Sequence, residues 1–269
     1  MKKPFLLAAA AAALIAVAVA ALFIANVTRT ETKKIGVTPG PHAQIMEKVK
    51  EIAAKNGLDL QVVEFSDYVV PNQALADGDL DINSFQHQPY LDRQIADRKF
   101  DLVSVGQTVN FPMGGYSKKV KELKDLKDGS SVALPNDPSN GARALLILAD
   151  QGLIKLRDGA GAKATVADVI DNPRNLKLVE LDAAQLPRSL DDVDVAVINS
   201  NYAIEAGMNP SKDSLFREGL KAPYANVIAV RKADANAPWV KTFLDSYHTP
   251  EVKAFIETTF KGSVVPAWQ

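Results

Sequence analysis

Arg143 stands in PNDPSNGARALL, where prolines, asparagines and a serine precede an apolar run with helical spacing. A helix capped there by Ser139 or Asn140 would point its first-turn N–H groups at an anion. Arg143 in that first turn could grip a carboxylate with two parallel hydrogen bonds. An arginine at a helix N-terminus opposes the helix dipole, which argues for a purpose other than stability. The alternative is a surface arginine paired with Asp137.

Asparagines recur at the ends of apolar runs. Asn199 and Asn201 follow DVAVI, and Asn226 opens the run in PYANVIAV. Asparagine disfavours strands, so such positions read as caps or turns. Its amide can also donate to a carboxylate and accept from an ammonium. In DINSFQHQPYLD, Phe85, His87 and Tyr90 crowd around Pro89 just after a strand-like run, and Tyr68 in FSDYVVPN holds a similar place. These rings either fill the gap between strand and helix or line a ligand cleft, since α/β sheets bind ligands beyond their strand ends. A carboxylate clamp, ammonium acceptors and an enclosing pocket are the three parts a small zwitterion requires.

Other chemistry lacks its parts. The three histidines, His42, His87 and His248, show no HExxH or other ligand-like spacing, so no metal and no cofactor is expected. No GxSxG, P-loop or GxGxxG occurs, and no catalytic group is assigned. With no cysteine, disulfides and thiolate chemistry are excluded, and a net charge of −1 gives no nucleic-acid surface.

The elements that must position these residues follow from periodicity. A strand at Ile35–Val37 leads to a helix over His42–Asn56 with Ile45, Val49 and Ile52 on one face, then a strand in LDLQVVEF. A helix opens at Pro71, Leu80–Ser84 is strand-like, Gln88–Lys99 helical and Leu102–Val109 strand-like. Such alternation predicts parallel βαβ units. At Gly114-Gly115 and the lysine-rich stretch after it the pattern breaks, as at a crossing between lobes. A second unit follows, with strands at Ser131–Leu134, Leu176–Leu181 and Val193–Ile198 and a helix over Ala142–Gln151. A strand after Tyr224 and helices at Pro238–Tyr247 and Glu251–Phe260 close the chain. The expected fold class is therefore α/β, with two lobes around a ligand cleft, the architecture of solute-binding proteins. Its divisions are residues 1–33 (signal or membrane-anchor segment and tether), 34–112 (first lobe), 113–221 (second lobe) and 222–269 (return to the first).

Lys2 and Lys3 precede an unbroken apolar run, Phe5 to Ala25, close to the ~20 residues that span a bilayer. This predicts an N-terminal hydrophobic helix, either retained as an anchor or cleaved near Ala18–Ala20. The lysines would stay cytoplasmic, which places the folded part on the outer side of the cytoplasmic membrane.

FSDYVVPNQALADGDLDINSFQHQPYLD, PNDPSNGARALL, the stretch from Asn172 to Ala203 and PYANVIAVR together resemble the methionine-binding lipoproteins of the MetQ/NlpA type, receptors of bacterial methionine ABC importers. The resemblance runs from about Ile35 to Trp268. It implies a periplasmic-binding-protein-like fold that captures methionine and hands it to an ABC permease and its ATPase. It also implies that Arg143 holds the methionine carboxylate, Asn199 and Asn226 fix the head group, and Tyr68, Phe85, His87 and Tyr90 enclose the thioether. Alternatives are another amino acid, D-methionine or a methionine-containing dipeptide as ligand, or an exported enzyme or chaperone using the same cleft. Members of the family are usually attached through a lipidated cysteine, which this sequence lacks, so membrane contact would fall to the N-terminal segment.

Overall fold

Proline marks where most of the helices begin, because its fixed φ suits the first turn and its missing N–H is not needed there. The computed structural model describes residues 31–219 and 222–268. Its first stretch runs β1 (Glu31–Val37), α1 (Pro41–Lys55), β2 (Leu58–Glu64), α2 (Val70–Asp77), β3 (Ile82–His87), α3 (Gln88–Arg98) and β4 (Leu102–Asn110). The second runs β5 (Gly114–Tyr116), β6 (Ser131–Pro135), α4 (Pro138–Asp150), β7 (Lys155–Leu156), β8 (Val169–Asp171) and β9 (Lys177–Leu181). It continues through α5 (Leu186–Ser189), β10 (Val195–Ile198), α6 (Ser200–Glu205) and β11 (Phe216–Arg217). The chain ends with β12 (Ala225–Arg231), α7 (Pro238–Tyr247), α8 (Pro250–Phe260) and β13 (Val265–Pro266).

Two main sheets result. The first has the order β13-β4-β12-β3-β1-β2 and the second β11-β5-β10-β6-β9. Each has its own core. Ile45, Met46 and Val49 of α1 pack with Phe243, Tyr247, Val252 and Ile256 beneath the first sheet. Burying one such side chain contributes roughly 1.5–3 kcal/mol relative to exposure. Under the second sheet, Val132, Leu134, Leu145, Leu148, Val195 and Val197 do the same.

The sheets are mixed rather than wholly parallel. β1 pairs in parallel with β2 and β3, and β6 with β9 and β10. β5, β11 and β12 are antiparallel to their neighbours. A parallel neighbour needs a crossover helix, and β5 and β12 enter directly from the other sheet without one. Gly114 and Gly115 thus belong to a strand. Glycine is required at 115 by close packing, since a Cβ there would lie 2.1 Å from the Phe216 ring.

Further boundaries differ from expectation. β1 begins at Glu31, within the stretch read as tether, because residues 31–37 pair in register with 58–64. Phe85 lies inside β3 rather than beyond its end. The N-terminal hydrophobic helix lies outside the described residues. Among the described residues, no helix is long and apolar enough to cross a membrane.

Candidate functional site

A cavity lies between the two sheets, with about 300 Å³ of empty space that is partly open to solvent. All seven residues singled out from the sequence line it: Tyr68, Phe85, His87, Tyr90, Arg143, Asn199 and Asn226. So do Asn201, named beside Asn199 from the sequence, Asn140, read there as a helix cap, and Gln86 and Phe111, which the sequence did not mark.

The aromatic wall comes from the first sheet. Phe85 and His87 alternate along β3, and Tyr90 stands in the first turn of α3. His87 starts that helix, its Nδ1 accepting from the Tyr90 N–H at 3.1 Å. The rings of Tyr68, Phe85 and Tyr90 have centroids 5.9–6.1 Å apart, a tilted and edge-on cluster. The Tyr90 hydroxyl donates to the Tyr68 carbonyl at 2.8 Å, fixing the loop that carries Tyr68. Tyr68 in turn donates to Asn201 Oδ1 at 2.6 Å, across to the second sheet's helix α6.

The amides face this wall. Asn140, in the first turn of α4, accepts at Oδ1 from Asn199 Nδ2 (2.9 Å) and from His87 Nε2–H (3.0 Å). That assigns His87 one tautomer, with the proton on Nε2 and Nδ1 free to accept. Burial, aided by the Arg143 charge, lowers the His87 pKa to about 3, so the ring is neutral. Asn226 reaches the cavity through register, since β12 inserts between β3 and β4 with Asn226 opposite His87. Its Nδ2 donates to His42 Nε2 at 2.8 Å, and His42 Nδ1–H then donates to Thr38 Oγ1 at 2.7 Å. Burial lowers the His42 pKa to about 3 as well. Among the described residues Asn199 Oδ1 is buried without a hydrogen-bond partner, an arrangement that native proteins rarely leave unused.

Arg143 departs from its predicted setting. α4 begins at Pro138 and is capped by Asp137, whose carboxylate accepts from the Asn140 N–H at 2.9 Å. Arg143 is therefore the helix's sixth residue, in its second turn, where no first-turn dipole argument applies. The signature was present in the sequence, because Asp followed by Pro is a standard helix opening. Nor is Arg143 a surface residue paired with Asp137. It is 3% exposed, and its Nε and Nη2 bond to Glu218 at 3.1 and 2.5 Å. Nη2 also donates to the Phe111 carbonyl at 2.8 Å, and the guanidinium lies 4.2 Å from the Tyr224 ring centroid. A two-pronged grip through Nε and Nη2 is therefore occupied by the protein itself. Nη1 has no protein partner among the described residues. Glu218 and Tyr224 carry no local sequence signal of this role.

The site offers one free guanidinium nitrogen, one orphan amide oxygen, further amides and a ring-lined end. The His87 imidazole in the cavity and the His42 imidazole bonded to Asn226 are neutral with each nitrogen committed, and burial pushes the Tyr68 and Tyr90 phenols upward, so they remain donors. Among the described residues no cluster of His, Asp and Glu gathers to hold a metal. This is equipment for holding a small zwitterion.

Comparison with known proteins agrees with the architecture. The family model described as NlpA lipoprotein matches residues 34–268. The D-methionine-binding lipoprotein MetQ of Yersinia pestis is 51% identical over 238 residues, covering 87% of this chain and 88% of that protein. Its counterpart in Escherichia coli K12 is 50% identical over the same length and coverage. The structure of a nutrient binding protein from Burkholderia cenocepacia bound to methionine superposes with a TM-score of 0.86 at 54% identity, covering 88% of this chain and all of that one.

Proposed function

The chain belongs to the NlpA lipoprotein family, and from that membership and the cavity we propose that it captures methionine outside the cytoplasm and delivers it to an ABC importer. It is a solute-binding protein rather than an enzyme. The observation that carries this reading is the joint presence, in one ring-lined cavity, of a guanidinium nitrogen and a buried amide oxygen that have no protein partner among the described residues. Arg143 Nη1 takes the carboxylate, while Asn199 Oδ1 and the Asn226 carbonyl accept from the ammonium. Tyr68, Phe85, His87 and Tyr90 enclose the thioether, where sulfur–aromatic contacts contribute about 0.3–1.5 kcal/mol.

Residues 34–112 and 222–269 form one lobe and 113–221 the other, so a ligand in this cavity touches both. The protein acts at the membrane's outer side beside a permease and its ATPase. With no cysteine to lipidate, the apolar run from Phe5 to Ala25 either holds it there as an uncleaved anchor or is removed as a signal.

Calorimetry on ligand-stripped protein tests the reading. One equivalent of L- or D-methionine should bind, norleucine more weakly, and glutamate not at all, because its side chain would bury a charge among rings. Arg143→Ala should remove binding. Equal affinity for glutamate and methionine would reject the assignment.

A further inference from the structure

A buried guanidinium needs a counter-charge and filled hydrogen bonds, and Arg143 obtains both from the segment that returns to the first sheet. Glu218 follows β11, and its backbone N–H donates to the Met113 carbonyl at 2.9 Å. The Met113 N–H donates to Glu218 Oε2 at 3.3 Å, so this carboxylate is anchored to both crossings between the sheets. It takes Arg143 Nε and Nη2, the Phe111 carbonyl takes the remaining Nη2 proton, and Tyr224 lies against the guanidinium. Among the described residues, only Nη1 is left without a protein partner.

The charge tally follows. Arg143 and Glu218 cancel, and His42 and His87 are neutral rings with both nitrogens engaged. Asp137 does not line the cavity, and its carboxylate caps α4, where the Asn140 N–H groups favour its charge although burial raises its pKa on balance. Among the described residues that line the cavity, with Glu218 counted as the partner of Arg143, no net charge is left for a ligand. A zwitterion enters such a site without leaving an uncompensated charge, whereas an anion does not.

We infer that Glu218 is a specificity-determining residue: as the fixed counter-ion of Arg143, it limits the ligand to one guanidinium edge and selects net-neutral amino acids over the corresponding carboxylate anions. This rests on the methionine reading above. Without Glu218, Arg143 becomes a free cation, and any anion of the right shape gains.

The test compares two ligands that differ only in the amine, methionine and 4-(methylthio)butanoate, on the full chain in detergent. Wild type should bind methionine and strongly disfavour the anion. Glu218→Gln should shrink that preference by roughly ten- to a hundred-fold, the effect of one unit charge about 6–12 Å away at an effective dielectric of about 20. Glu218→Asp keeps the charge with shorter reach and should weaken both ligands while leaving their ratio near wild type. Glu218→Ala, which presents no amide N–H to Arg143, should repeat the glutamine result should that variant fail to fold. If Glu218→Gln and Glu218→Ala weaken both ligands by the same factor, the residue is merely structural and the inference is overturned. Wild type that binds no methionine would overturn the underlying reading instead.

Discussion

At the residue scale, the two buried histidines carry a consequence for pH. Each has a folded pKa of about 3 against an ordinary value of 6.5, lowered by burial in both cases. Between those values the unfolded chain binds the extra proton and the folded chain does not. Stability from this source is therefore complete above about pH 6.5 and is lost as pH falls toward 3, at about 1.4 kcal/mol per pH unit for each ring. His87→Gln retains a donor toward Asn140 and loses the cap on Tyr90, costing about 1 kcal/mol near neutrality. Denaturant titrations from pH 7.5 to 4.5 should show a shallower decline in His87→Gln and in His42→Gln than in wild type. Identical slopes in all three proteins would clear the histidines of the effect.

At the element scale, the position of α4 decides where Asn140 and Arg143 stand. Gly141 lets the first turn of α4 lie against β6, since a Cβ there would sit 2.9 Å from the Pro135 carbonyl oxygen. That neighbour is backbone and cannot swing aside. Gly141→Ala should force strand and helix apart, at a cost of about 1–3 kcal/mol. It should also weaken methionine binding, because Asn140 precedes it and Arg143 follows two residues later. Thermal melting and calorimetry read the two effects separately. Unchanged affinity with a lowered melting temperature would show that the site tolerates displacement of the helix.

For the whole molecule, the contacts across the cavity join one sheet's residues to the other's. His87 meets Asn140, Tyr68 meets Asn201, and Tyr202 donates to the Ser66 carbonyl at 3.3 Å. The Ser200 hydroxyl donates to the Pro112 carbonyl on a crossing segment. A ligand that adds contacts to both sides favours the closed arrangement, and only such differential binding moves the equilibrium. Solution scattering on a fragment beginning at Asn26, ahead of β1, should show methionine reducing the radius of gyration. The melting temperature should rise as well, because ligand binds the folded state alone. A raised melting temperature with an unchanged scattering profile would refute hinge closure and leave the site intact.

The sequence by itself determined what depends on near neighbours. Periodicity and prolines set most helices and strands, with α7 placed at Pro238–Tyr247 from pattern alone. Rings and asparagines at the ends of apolar runs pointed to the residues that line the cavity. Its misreadings were also local, such as starting α4 at Ala142 although Asp137 and Pro138 signal an earlier opening. Tertiary structure alone decided the partners. Arg143 and Glu218 are 75 residues apart in the chain, and His42 and Asn226 are 184 apart. Their meeting depends on two antiparallel pairings, β12 inserted between β3 and β4, and β11 added at the sheet edge beside β5. Strand pairing between distant segments is set by the packing of whole sheets, and no short stretch of sequence encodes which strand will lie beside it.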